Sequence, residues 1–391
     1  MLDTEKFTFQ EFFAGGGMVR QALGANWKCL LANDFDGKKA LTYQDNWGTG
    51  GELHVGDICE IPISKLASNC DLAWASFPCQ DLSLAGKGNG LSGQRSSMFY
   101  VFWEKLLQAS SKGEMPSIVV IENVCGLLSS NEGNDFKDVI RTFSENGYYV
   151  GGLVVDAKDF VPQSRKRIFI IGLRKDRTLD PTLVSPLPID GFHTKPLVKA
   201  YNRLDSTSKS DWVWYNLPQA KHRKNALIDI LEPFDKTKWH SSEKTRAILN
   251  KMSITNFKKV EAARSLKEPT IGALFMRTRR TKIAKRVFAE VRFDGLSGCL
   301  RTPNGGSSRQ SIIWVEGEQT FSRLLTPRET ARLMGLPESY KLPKNNNTAL
   351  HLTGDGVVVP VVKHLKEHLF EPLLIPLDYC GIDSEPIYEF A

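Results

Sequence analysis

Two residues stand where they could act together on an electron-poor ring. Cys79 lies in "SFPCQDLS" (Ser76 to Ser83), directly after the apolar run "CDLAWA" and against a rigid proline, Pro78. Buried structural cysteines usually lie inside apolar runs, so this one is presented rather than packed. Its plain alternative is a strand-end cysteine with proline as breaker. Glu122 ends the apolar "SIVVI" and is followed by Asn123, which could fix its orientation. A thiolate adds readily to an electron-poor carbon, and a carboxylic acid can donate to a ring nitrogen. The plain alternative for Glu122 is a salt-bridged structural acid.

A second set suits a nucleoside. Gly15-Gly16-Gly17 sits between a strand and a helix, where backbone can approach a ligand closely. It is not the dinucleotide pattern, because Met18 and Val19 follow. Asp34 ends the next apolar run and could accept from ribose hydroxyls; Phe35 could stack on a purine, and Asp57 in "VGDI" could take an adenine amino group. Together they suggest an adenosine-bearing cofactor without a dinucleotide's phosphates. The glycines at 86, 88, 90 and 93 are read as a mobile loop.

These residues need a sheet to position them. Short apolar runs ("KFTFQEFFAG", "CLLAND", "LAWASFP", "SIVVIENV", "YVGGLVVDA", "RIFIIGL") alternate with helical segments ("MVRQAL", "GKKALTYQDNW", "SSMFYVFWEKLLQAS", "DFKDVIRTFSENG"). That rhythm predicts an α/β fold, a doubly wound, mostly parallel sheet with ligands at the carboxyl ends of its strands. After Arg174 a proline-rich linker leads into a more basic stretch without this rhythm. "TPRETARLMGLPESY" has a capping-box start at Thr326, Pro327 and Glu329, and "GDGVVVPVVKHLKEHLF" reads as a glycine turn into a helix.

In bulk, the 391 residues carry 41% hydrophobic and 24% charged residues, as ordinary globular proteins do. No apolar run is long enough for a membrane span, and "MLDTEKFTFQ" lacks a secretory profile. Seven cysteines without a C-x-x-C pair fit a reducing compartment and argue against a disulfide framework or a zinc knuckle. A cytoplasmic, nucleoid-associated protein is expected. The net charge of +7 is modest, but "MRTRRTKIAKR" packs six cations into one segment, either a polyanion footprint or a solvated helix face.

In their order, the blocks "FFAGGG", "ANDFD", "GDI", "SFPCQDLS", "GQRSSMF", "IENV", "QSRKRIFIIG", "RLLTPRETARLMGLPESY" and "GDGVVVPVV" resemble the C5-cytosine DNA methyltransferase family of bacterial restriction-modification systems. The resemblance implies a Rossmann-like, S-adenosylmethionine-dependent domain (1–190 with 354–391) and a smaller target-recognition domain (191–353). It implies that Cys79 attacks C6 of a cytosine flipped out of double-stranded DNA, and that Glu122 holds N3 and the exocyclic amine. Arg167 matches the arginine at the cytosine O2, and Arg165, two residues away on the same strand side, its companion near the nucleophile. Phe13, Gly15, Gly17, Asp34, Phe35, Asp57, Ile58 and Pro78 match cofactor positions. Ser83 and Arg95 are phosphate candidates. Arg277, Arg279, Arg280, Arg301, Ser307, Ser308 and Arg309 are candidates for base or phosphate contacts. A cognate restriction endonuclease and a monomeric state are further expectations.

Two places depart from the family pattern. Gly354-Asp355-Gly356-Val357 stands for the usual Gly-Asn-Ala/Ser-Val, and Gly16-Gly17-Met18 replaces a commoner glycine-ending turn. Competing readings are an RNA cytosine methyltransferase and a catalytically silent DNA-binding regulator. The stretch His364 to His368 also fits H-x-x-E-H, although no third zinc ligand is apparent and no metal is expected.

Overall fold

A computed structural model describes residues 6–77, 98–111, 113–220, 223–280, 285–302 and 309–375. The first seven strands are β1 (Phe7–Phe12), β2 (Trp27–Asp34), β3 (Leu53–Val55), β4 (Leu72–Ala75), β5 (Ile118–Val124), β6 (Tyr148–Asp156) and β7 (Lys166–Arg174). They form one sheet in the order β3-β2-β1-β4-β5-β7-β6. The pairs among β1 to β5 are parallel, and β7 runs antiparallel to both of its neighbours. Alternation sorts the central strands into two cores. Leu72, Trp74, Ile118 and Val120 enter one, while Ala73, Ala75, Val119 and Ile121 enter the other. A strand buried on both faces reads as a continuous apolar run, as "LAWA" and "IVVI" do.

The early helices are α1 (Met18–Leu23), α2 (Gly37–Trp47), α3 (Met98–Ser110) and α4 (Asn134–Glu145). Asp36 caps α2 by accepting from the Lys38 N–H. A short pair, β8 (Val184–Ser185) with β9 (Trp214–Tyr215), precedes and follows α5 (Lys195–Tyr201) and α6 (Ser206–Ser210). Leu197, Trp212, Trp214, Tyr215 and Leu217 all pack into the cores of the large sheet, so this stretch is layered onto it.

The helices α7 (Ser242–Leu249) and α8 (Ile254–Arg264) lead into a second sheet. Its strands are β10 (Thr270–Arg280), β11 (Lys285–Arg292), β12 (Ser311–Glu316) and β13 (Gln319–Leu324), antiparallel in the order β11-β10-β12-β13. The described parts of "MRTRRTKIAKR", residues 276–280 and 285–286, therefore fall on β10 and β11, not on a solvated helix face. Val291, Ile313 and Val315 pack on Val260 and Ala263 of α8.

The chain then returns to the large sheet through α9 (Pro327–Leu333), α10 (Asn346–Asp355), α11 (Val359–Leu365) and α12 (Glu371–Leu374). The capping box at Thr326 and Glu329 forms as the spacing predicts. Glu329 does more: its carboxylate takes both Nη groups of Arg323 at 2.7 Å and the Glu232 N–H at 2.8 Å, all buried or half-buried. One side chain so joins β13, α9 and the segment before α7.

Candidate active site

The parallel pairing of β4 with β5 decides the site. Ala75 lies beside Ile121, so the chain leaving β4 toward Cys79 starts level with Glu122. Asn123 Nδ2 donates to the Phe77 carbonyl at 3.4 Å, tying that exit to β5. Pro78, Cys79, Ser83 and Arg95 lie outside the described residues, as do Ser307 and Ser308.

Glu122 is buried, and its Oε1 is 3.2 Å from Arg167 Nε, which the antiparallel β5–β7 register brings across the strand. Arg165, only 3% exposed, faces the same group. Its Nη1 donates to the Leu300 carbonyl (3.0 Å) and contacts Cys299 Sγ (3.5 Å); its Nη2 donates to the carbonyls of Gly354 (3.2 Å) and Gly356 (2.8 Å). Arg165 thus rivets three distant segments together. Burial, and then the Arg167 charge, lower its pKa. Burial opposes ionisation of Cys299, yet the two guanidiniums hold its thiol below the usual value. Two cations here face one carboxylate and one polarisable thiol.

At the ends of β1 and β2 the glycine turn is built with two residues in the left-handed region, Gly15 and Gly17, and Phe13 joins them at φ 61°. A bulky residue there is strained, which is tolerated when the surroundings impose it. Trp47 Nε1 and Tyr340 Oη both donate to the Gly16 carbonyl, at 3.2 and 2.8 Å. The Asp34 carboxylate accepts from the Gly15 and Asp36 N–H groups at 2.7 and 2.8 Å. Burial raises its pKa against these donors and the Lys39 charge. Phe35 is 79% exposed, Ile58 is buried, and exposed Asp57 caps the next turn through the Cys59 N–H.

The two departures from the family pattern have physical partners. Asp355 accepts from Lys39 Nζ at 2.7 Å and from Thr302 Oγ1 at 2.9 Å, so a charge pair stands where an amide is usual. Burial disfavours the Lys39 ammonium, but Asp355 and Asp34 keep its pKa above the ordinary value. Met18 Sδ fills the place that a Cβ on Gly356 would take. The larger residue at 18 and the smaller one at 356 are one packing solution.

The DNA-contact candidates divide by place. Arg277 and Arg279 are exposed on β10, both ion-paired with Glu290 of β11; Arg280 is exposed at the end of β10. Arg301 is exposed beside Thr302, whereas Arg309 is bonded to Asn347 at the start of α10. His364 Nε2 contacts the Pro218 carbonyl at 3.0 Å and packs on Phe160 and Phe192. Among the described residues no three His, Cys, Asp or Glu side chains gather as metal ligands.

Sequence reasoning missed Cys299, Lys39, Tyr340, Gln163 and Glu290. Gln163, fully buried, accepts from the Leu300 N–H and donates to the Leu333 carbonyl, at 3.0 and 2.8 Å. Its place in "QSRKR" was the available signal.

This geometry agrees with what the chain is similar to. Type II methyltransferase M.HpaII of Haemophilus parainfluenzae is 27% identical over 94% of this chain and 90% of its own length. M.HhaI of Haemophilus parahaemolyticus is 25% identical over 91% and 92%. The crystal structure of the S. pombe Dnmt2 methyltransferase shares the fold, with a TM-score of 0.59 at 19% identity, covering 94% of this chain and 100% of that one. The family described as C-5 cytosine-specific DNA methylase matches residues 7–371, and the chain belongs to it.

Proposed function

We propose that this C5-cytosine DNA methyltransferase transfers a methyl group from S-adenosylmethionine to a cytosine flipped out of double-stranded DNA, through a covalent Cys79–C6 adduct. The observation that carries the reading is the buried Glu122–Arg167 pair, level with the chain that leads into Cys79. The Cys79 thiolate attacks C6 and pushes electron density toward C5, N3 and O2. Glu122 donates to N3 and accepts from the exocyclic amine, so charge on the ring is stabilised as it develops. Arg167 holds O2. C5 takes the methyl group and then loses its proton to solvent; the thiolate leaves C6 and the ring is restored. Arg165 acts as a positioning residue that fixes the wall of this pocket.

The residues at the ends of β1 and β2 fit the cofactor. A Cβ on Gly15 would meet nothing within 4 Å, so that turn opens onto a space a ligand can fill. Phe13, Gly15, Gly17, Asp34, Phe35, Asp57, Ile58 and Pro78 would hold S-adenosylmethionine, Asp34 at the ribose and Phe35 at the purine. When bound it supplies an electrophilic methyl carbon, the chemistry a nucleophilic C5 requires. The lobe within 191–353 would read the DNA, with Arg301 and Arg309 beside the pocket. Ser83, Arg95, Ser307 and Ser308 keep their place as phosphate or base contacts in this reading. A monomer suffices, since each strand of a site is methylated in a separate visit, and a restriction endonuclease acting on the same sequence is the natural partner. No helix among the described residues is long and apolar enough to cross a membrane.

The test is bisulfite sequencing of plasmid DNA from cells expressing the chain or its Cys79→Ser variant. Methylated cytosines in one short recurring context, lost with Cys79→Ser, are expected. Well-expressed, folded protein that leaves DNA unmethylated would overturn the DNA reading, and methylation of cellular RNA by the same protein would replace it.

A further inference from the structure

The β10–β11 ribbon has two unlike faces. Antiparallel register sets Phe275 opposite Glu290, Arg277 opposite Phe288 and Arg279 opposite Arg286, so these six share one face. The other face carries Leu274 opposite Val291, then Thr278 opposite Val287 and Arg280 opposite Lys285. At its inner end Val291 packs toward α8, while Thr278, Arg280, Lys285 and Val287 at its outer end are exposed. The first face turns the other way. The Phe275 ring edge fills the place of a Cβ on Gly298, and Gly298 precedes Cys299, which Arg165 touches. A relay of contacts therefore links the buried Arg165–Arg167–Glu122 group, through Cys299, Gly298 and Phe275, to Arg277 and Arg279.

On the first face Glu290 sits between two arginines. Its Oε2 is 2.9 Å from Arg277 Nε, and its Oε1 meets Arg279 Nη2. The Arg277 guanidinium also lies 5.6 Å from the Phe275 ring centroid, a cation–π contact. Arg277 is thus held from below by a ring and from the side through Nε, not through the Nη pair that forks a guanine. A half-buried acid holding exposed arginines at the surface adds little to stability. Its physical effect is to restrict two long side chains that would otherwise sample many rotamers. A carboxylate in the midst of these cations also repels phosphate, whereas base edges welcome it: a cytosine amine donates to Glu while guanine accepts from Arg.

We propose that this face reads G·C base pairs flanking the target cytosine, with Arg277 as the guanine-reading fork and Glu290 as the residue that aims it. Arg280 and Lys285, on the opposite face, hold phosphates. The inference rests on the DNA reading above and extends it to the composition of the recognition site.

Bisulfite sequencing of a plasmid library with randomised flanks tests it, using the wild-type chain, Arg277→Ala, Glu290→Gln and the Arg280→Ala/Lys285→Ala double variant. In the wild type, guanine is expected at one or more fixed flanking positions. Arg277→Ala relaxes that preference by about tenfold, and Glu290→Gln broadens the same position by less. The double variant keeps the context but loses methylation uniformly, and its DNA binding loses about two units of salt slope. An Arg277→Ala enzyme with unchanged context and a shallower salt slope would make this face a phosphate contact and overturn the inference. A context that Glu290→Gln leaves as sharp as before would remove Glu290 from it. Absence of any methylated context with the wild type would instead sink the DNA reading itself.

Discussion

Arg165, Glu122 and Arg167 form an arginine–glutamate–arginine group, and so do Arg277, Glu290 and Arg279. The first lies at the end of a seven-stranded sheet, with Arg165 only 3% exposed and Glu122 6% exposed. The second stands on a ribbon where the arginine side chains are 53% and 62% exposed. At equal distances, charges interact several-fold more strongly near a protein interior than in bulk water. The buried group also bears the cost of leaving water, which is why its more deeply buried arginine, Arg165, finds three backbone carbonyls. The same three residue types therefore give a buried electrostatic group in one place and a solvent-facing pair of arginines steered by one acid in the other.

Four substitutions sharpen or break that contrast. Glu122→Gln keeps the shape but removes the carboxyl that the proposed chemistry sets against the cytosine ring; single-turnover methylation of a DNA oligonucleotide should slow by roughly 10²–10⁴-fold. Arg165→Ala leaves the carbonyls of Leu300, Gly354 and Gly356 without their donor. Denaturant unfolding should show a loss of about 3–5 kcal/mol. A loss as small as that of a surface pair would erase the distinction between the two groups.

The third concerns pH. Glu11 lies buried near α1, and burial pushes its carboxyl from 4.5 up to about 8, against the pull of Arg20. Between these values the folded chain keeps a proton that the unfolded chain has released. This contribution to stability is therefore full below pH 4.5 and is lost as pH rises toward about 8. Thermal melts across that range should show the wild type falling more steeply than Glu11→Gln; parallel curves would remove Glu11 from the balance. The smallest expected effect is that of Glu290→Gln on stability, within about 1 kcal/mol by chemical denaturation. A larger loss would mean that the exposed group is structural.

Legibility followed the same division. The helices α1 and α2 end where the apolar period and the flanking glycines place them, and the central strands announce themselves as unbroken apolar runs. Cys79 and Glu122 could be singled out because a strand end, a proline and a lone acid are local signals. The ribbon was hidden. Arg277, Arg279 and Arg280 put charge on both faces, so the two-residue alternation of a strand disappears. The contacts of Arg165 were hidden for another reason: its acceptors are backbone carbonyls, which every residue possesses, and only the fold selects three of them. Lys39 and Asp355 pair across 316 positions, a relation no local pattern carries.

The bond from Tyr340 to the Gly16 carbonyl joins residues 324 positions apart. A ribosome adding roughly 5–20 residues per second needs about 15–65 s to cover that interval. Throughout it, the glycine turn of a nascent chain lacks the hydroxyl that closes over it and the α11 helix that packs against α1. The glycine turn should therefore reach its finished, closed form only as the last helices dock, a delay built into the order in which the chain is made.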